Sequence, residues 1–330
     1  MFFKACTVKP ICLINSKKKP NGRFMCLEEL KIRFLFLLAF LMPVNGICSF
    51  EPLECPNSNL IRIYVDTEIA TPCKELSEIN TVFTSIRKFS GFTSPVTLFL
   101  DRPSYMAQAS ISGLMLLSQR QKGWREVRNL EKSKLIWAHE FGHIVFNEII
   151  INQFPAISDF HRYMVAHDEI SIQSLNPTSD NFQQVKFLWT QEAGLARDIL
   201  KPYTELFADL VAVLYANDGS AMKRAMTLNG MSEIEKYNAR LYDFYAKIAL
   251  DDYTGNDVHL VFGPARSYIG SHLLKFPMSL QQKQNVLSIV ASSMLEEMNQ
   301  LWTTRTKPTD FRSLNLSFID RLRRRIANSN

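Results

Sequence analysis

Within Ala138-His139-Glu140-Phe141-Gly142-His143, two imidazoles stand four positions apart with a carboxylate immediately after the first. On a helix that spacing puts both rings on one face, where they can share a metal ion. Glu140 then points to the side where a water on that metal would sit. A metal held this way polarises a carbonyl and lowers the pKa of its water. A neighbouring carboxylate can take the water's proton and pass it to a leaving amine. The flanking Ile136, Trp137, Phe141, Ile144, Val145 and Phe146 are apolar, so these polar groups are carried into a buried helix. Buried polar groups need partners. The competing reading is a pair of core histidines satisfied by hydrogen bonds, and a third ligand would decide between the two.

The stretch Tyr203-Thr-Glu205-Leu-Phe-Ala-Asp209 offers that ligand on a second apolar helix. Glu205 can complete a His-His-Glu site. Asp209, one turn on, can reach the other nitrogen of a ligand imidazole and fix its tautomer. Leu206, Phe207, Ala208, Leu210, Val211, Val213 and Leu214 surround the two carboxylates, which leaves little of the polar face an ion-pair helix would show. Rivals for the third position are Glu148, Glu192, His161 and His167. Glu148 lies five residues past His143 and faces away from the pair, and the two histidines fall in a polar, irregular stretch.

With these residues in view the chain resembles the gluzincin metallopeptidases, the thermolysin-like group. His139, Glu140 and His143 match their zinc helix, and Glu205 with Asp209 matches their E-x-x-x-D helix. The resemblance implies a zincin-like α+β fold, Zn2+ on His139, His143 and Glu205, Glu140 as general base and acid, and Asp209 supporting a ligand histidine. It covers about a third of the chain by motif and context, and the 61 residues between His143 and Glu205 exceed the thermolysin spacing, so inserted helices are expected. The resemblance also makes His259, in Asp257-Val-His259, the donor to a developing oxyanion, with Asp257 orienting it and Arg266 and Tyr268 as alternatives of the same kind. It places an extended peptide substrate along Ala107 to Ile111 or Gly113 to Ser118. No G-x-M-E-N stretch of the sort that holds a substrate amine is present, which favours an endopeptidase.

The elements that must position these residues are legible as patterns. Strands are expected at Leu60 to Val65, Val96 to Leu100 and Gly113 to Ser118, with a helix from Glu75 to Phe89 stopped near Gly91. Helices follow at Leu130 to Ile150, Phe182 to Leu200 and Pro202 to Ala216, the last begun by its proline. Ser232 with Glu235 and Ser279 with Gln282 have capping-box spacing and open helices running to Leu250 and Trp302. The expected class is α+β, with a small N-terminal mixed sheet and the zinc helix in 47–150 and a mostly helical lobe in 151–330. His272 reads as structural, and Arg321 to Arg325 as a basic last turn facing a helix dipole.

The formal charge of +6 lies in the first 33 residues, which carry eight basic and two acidic side chains, while the chain from Ile47 onward is balanced at thirty of each. A neutral body lacks the basic field that nucleic-acid binding requires. Lys31 and Arg33 precede the apolar run Phe34 to Val44, and Asn45-Gly46 follows it, the pattern of a secretory leader in 1–46. Export to a secreted or periplasmic location is expected, with no membrane span once the leader is cut. An uncleaved anchor is the lesser reading, and Met25 would start a leader of ordinary length. Export permits a disulfide, and Cys55 with Cys73 would close a loop around the first strand, leaving Cys48 over. The function expected is an exported zinc peptidase. The alternatives are an inert metal-binding envelope protein and a zinc hydrolase of a non-peptide amide.

Overall fold

The computed structural model describes residues 50–52, 61–66, 73–101, 108–109, 114–118, 130–153, 191–227, 231–252 and 257–329. The leader, the Cys55–Cys73 pairing, Cys48, His161 and His167 lie outside the described residues or side chains. Phe50–Asn330 is one compact unit.

Helices make the body of this unit. Among the described residues they are α1 (Cys73–Ser90), α2 (Leu130–Gln153), α3 (Gln191–Ala216), α4 (Ala221–Met226), α5 (Glu233–Arg240), α6 (Gly263–His272), α7 (Leu280–Thr303) and α8 (Phe311–Ser329). The described part of the chain is 74% helical, which overturns the expected α+β, zincin-like class with a small mixed sheet as its first half. Among the described residues extended backbone is confined to short segments, β1 (Phe50–Pro52), β2 (Ile61–Asp66), β3 (Val96–Asp101), β4 (Gln108–Ala109) and β5 (Leu114–Ser118), paired in the order β1-β2-β3-β5-β4. The expected strands at Leu60 to Val65, Val96 to Leu100 and Gly113 to Ser118 overlap β2, β3 and β5. The sequence pattern does not reveal that the core is assembled by helices, since apolar periodicity says which face is buried and not against what.

On α1, Leu76, Ile79, Val82, Phe83, Ile86 and Phe89 recur at helical spacing and form one buried stripe. The helix ends where Gly91 takes φ 71° and its N–H bonds the Arg87 carbonyl, a left-handed cap that glycine adopts without a Cβ clash. By contrast α2 is buried on nearly every side, from Trp137 through Phe146, as an interior helix must be. Phe141 stacks on Phe83 of α1 at 4.3 Å, and Phe146 stacks on Phe207 of α3 at 4.7 Å, so α2 is clamped between both.

Two expected helix boundaries are corrected. Pro202 does not open a helix but lies inside α3. An interior proline removes one backbone hydrogen bond, and burial of Ile199, Leu200 and Tyr203 around it offsets that loss. The helix begun by the Ser232 capping box stops at Arg240 instead of Leu250. Beyond it, buried Asp243 accepts from Ser220 Oγ, Lys223 Nζ and the Tyr245 N–H, which holds the chain in turns. The basic run of α8 is also reassigned. Arg321 bonds Glu296, Glu297 and Gln300 of α7, and Arg325 reaches Glu296 at 3.0 Å, so these side chains join two helices.

The backbones of α2 and α3 approach closely in the core. A Cβ placed on Gly142 would stand 2.7 Å from Ala208 Cα and 3.2 Å from the Ala208 carbonyl oxygen. Backbone cannot yield as a flexible side chain can, so only glycine permits this crossing. Gly142→Ala is expected to destabilise the protein by about 1–3 kcal/mol through overpacking and to lower metal affinity with it. Thermal unfolding at or above the wild-type midpoint would show that the helices can separate at no cost.

Candidate metal centre

The Gly142–Ala208 crossing brings the motif face of α2 against the carboxylate face of α3. Glu205 precedes Ala208 by three positions and Asp209 follows it by one, so both side chains arrive beside His139 and His143. Among the described residues, His139, His143 and Glu205 form a group able to hold a metal ion, their ligand atoms all within 4.8 Å of one another. His139 Nε2 and His143 Nε2 are 3.1 Å apart, and Glu205 Oε2 lies 3.4 Å from the first and 3.7 Å from the second. A tetrahedral ion with bonds of about 2.0–2.2 Å has ligand atoms about 3.3–3.6 Å apart. The three separations bracket that edge length.

Hydrogen-bond partners fix which nitrogens face the centre. Asp209 Oδ1 lies 2.9 Å from His139 Nδ1, and a carboxylate only accepts, so Nδ1 carries the proton. Thr204 Oγ1 lies 2.8 Å from His143 Nδ1 and can accept from it in the same way. In the neutral imidazoles both Nε2 atoms are then lone pairs. They converge with Glu205 Oε2, which is buried and has no hydrogen-bond partner. Three electron-pair donors meeting in a buried space fit a cation.

The electrostatics set the two rings apart. Burial lowers the pKa of His143 to about 4, against the opposing pull of Glu205, so the ring is neutral and able to ligate at ordinary pH. Burial also acts to lower His139, but its bond to Asp209 and the nearby Glu205 carboxylate outweigh it and hold the pKa above the usual imidazole value. Burial acts to raise Glu205, and the neighbouring His143 and His139 overcome it, leaving a carboxylate ionised well below its usual range.

Glu140 sits beside His139 on α2 and is 9% exposed. His259 approaches from the other side, with Nε2 at 3.5 Å from Glu205 Oε2. Its ring is held by Asp257 Oδ1, which accepts from the His259 backbone N–H at 3.0 Å and from Nδ1 at 2.8 Å. That bond to Asp257 raises the His259 pKa, burial opposing it. At 45% side-chain exposure His259 forms the solvent side of the centre.

Three supporting residues were not evident from the sequence. Thr204 was hidden by its ordinary place in an apolar helix, although a hydroxyl next to a ligand glutamate was the available signal. Asn315 of α8 accepts from the Ala265 N–H at 3.1 Å and donates to the Val261 carbonyl at 2.7 Å, seating the start of α6 just after His259. Phe262, packed with Tyr203 at 4.9 Å and Phe318 at 5.5 Å, anchors the same segment. Of the proposed alternatives, Arg266 is fully buried and bonded to Asp209, and Tyr268 stacks on His272 at 4.0 Å. Among the rival ligands, Glu148 lies in the electrostatic field of Arg87 on α1, and the Glu192 side chain is outside the description. His272 is tied to the Tyr268 carbonyl at 2.9 Å, in keeping with its structural reading.

Compared with known protein families, curated proteins and solved structures, the chain matches none. Among the described residues no helix is long and apolar enough to cross a membrane.

Thr204→Val should weaken zinc binding about 10–100-fold, the usual cost of losing a partner that orients a ligand histidine, while Thr204→Ser retains it. Competition titration with a chromogenic chelator reads the difference, and equal affinities would remove Thr204 from the site. Because protons compete for His139, whose pKa is raised, zinc affinity should fall as pH drops from neutrality, with proton release on binding measurable by calorimetry in buffers of different ionisation enthalpy.

Proposed function

We propose that the chain is an exported zinc-dependent peptidase, an endopeptidase of gluzincin type in its chemistry. The observation that carries this reading is the convergence of His139 Nε2, His143 Nε2 and Glu205 Oε2, with Glu140 next to the first ligand and His259 opposite. Zinc, when bound by these three residues, supplies Lewis acidity toward a peptide carbonyl and makes water a better nucleophile at neutral pH.

The chain's own groups then divide the remaining work. Glu140 removes a proton from the attacking water and returns it to the departing amine. The Asp257-held ring of His259, carrying a proton on Nε2, donates to the oxygen that gains negative charge. Asp209 and Thr204 hold the two ligand rings in the tautomers that present Nε2. A purely structural zinc site makes no use of the carboxylate at Glu140 or of a solvent-facing His259, which favours an enzyme over an inert binding protein.

Glu140→Gln should keep zinc at one ion per chain and abolish cleavage of a broad peptide library, because the amide cannot take a proton. His259→Phe should keep zinc and lower kcat by about 10²–10³, the typical cost of losing one oxyanion donor, with little change in KM. Zinc-free protein, or cleavage that persists in Glu140→Gln, would end this reading. Metal content with turnover of small amides and none of peptides would move the substrate to a non-peptide amide.

A further inference from the structure

Arg266 is 0% exposed in the interior of the unit, and a buried guanidinium there is costly unless its charge and its donors are matched. Its Nε donates to Asp209 Oδ2 at 2.9 Å, and Nη2 donates to the same oxygen. Nη2 also donates to the backbone carbonyl of His259 at 2.7 Å. The guanidinium lies 5.4 Å from the centroid of the Tyr242 ring, which supports it as a cation against an aromatic face. Nη1 is buried with no partner. The other oxygen of Asp209 is the one that accepts from His139.

These contacts form one line from the metal ligand to the segment on the opposite side of the centre. His139 is seated by Asp209, Asp209 by Arg266, and Arg266 grips the carbonyl of His259. A residue needed only to neutralise Asp209 would require a positive charge and nothing more. The second bond, to a backbone carbonyl seven residues earlier, spends donor capacity on a group that carries no charge. Full burial also excludes Arg266 from donating to a substrate directly.

We propose that Arg266 is a positioning residue that couples zinc occupancy to the placement of His259. Zinc on Nε2 fixes the His139 ring, the ring fixes Asp209, and Asp209 holds the guanidinium that sets the His259 backbone. The 257–261 turn is therefore drawn to its working position by metal binding. In return, an ordered turn strengthens the seat of the ligand. The coupling rests on the metal site proposed above and does not depend on which bond is cleaved.

The test is amide hydrogen exchange of the full chain, zinc-loaded and chelator-stripped. The N–H groups of Leu260 and Val261 bond the Asp257 carbonyl at 2.9 and 3.2 Å and report the order of the turn. They should exchange severalfold faster without zinc, while the amides of α7 stay unchanged. Arg266→Lys keeps the charge but lacks the planar fork that reaches both acceptors. It should bind zinc about 10–100-fold more weakly and lose the zinc dependence of exchange at 260 and 261. Equal exchange in loaded and stripped wild type overturns the coupling without any variant. So does Arg266→Lys with wild-type affinity and wild-type zinc response. Zinc binding and turn ordering without peptide cleavage would leave the coupling standing and remove the peptidase reading, whereas a chain that takes up no zinc removes both.

Discussion

The site depends on the contact between Gly142 and Ala208, where two buried helices meet with no side chain between their backbones. A helix whose side chains stand off from its neighbour cannot bring two short carboxylates and two imidazoles within a few ångströms. Here the glycine inside the motif removes the obstacle on α2, and the alanine between Glu205 and Asp209 removes it on α3. The same crossing that closes the core therefore sets the ligand distances of 3.1–3.7 Å. Packing and metal geometry are one constraint, enforced by the phenylalanine contacts on either side of α2.

Bringing these groups together costs desolvation, and the structure offsets it by pairing. Asp209 is wholly buried, with one oxygen facing His139 and the other facing Arg266. Its charge is thereby met by a permanent cation. Glu205 lacks such a partner, and its Oε2 is left for the centre. The division is what a metal site needs, since one carboxylate must be held fixed and the other must be available.

The opposite side of the centre is supported separately. His259 belongs to a turn at the entrance to α6, and that turn is seated by Asn315 and Phe318 from α8 together with Tyr203 from α3. Its position depends on α8 and on Arg266, so residues more than a hundred positions beyond the motif determine where His259 stands. Partial exposure of His259 beside buried His139 gives the centre a wet side and a dry side.

The sequence by itself marked the residues that meet at the centre, because the four-residue spacing of His139 and His143 and of Glu205 and Asp209 is local and one helical turn brings each pair onto a common face. It also marked the capping boxes at Ser232 and Ser279 and the stop at Gly91, which depend on a few adjacent residues. It did not determine the fold class, the continuity of α3 through Pro202 or the early end of α5, since each is set by what an element packs against. Nor did it separate Arg266 from His259 as rivals for one role. Only the tertiary structure could show that Arg266 is sealed behind Asp209 while His259 faces the solvent, because burial and hydrogen-bond partners belong to the assembled core.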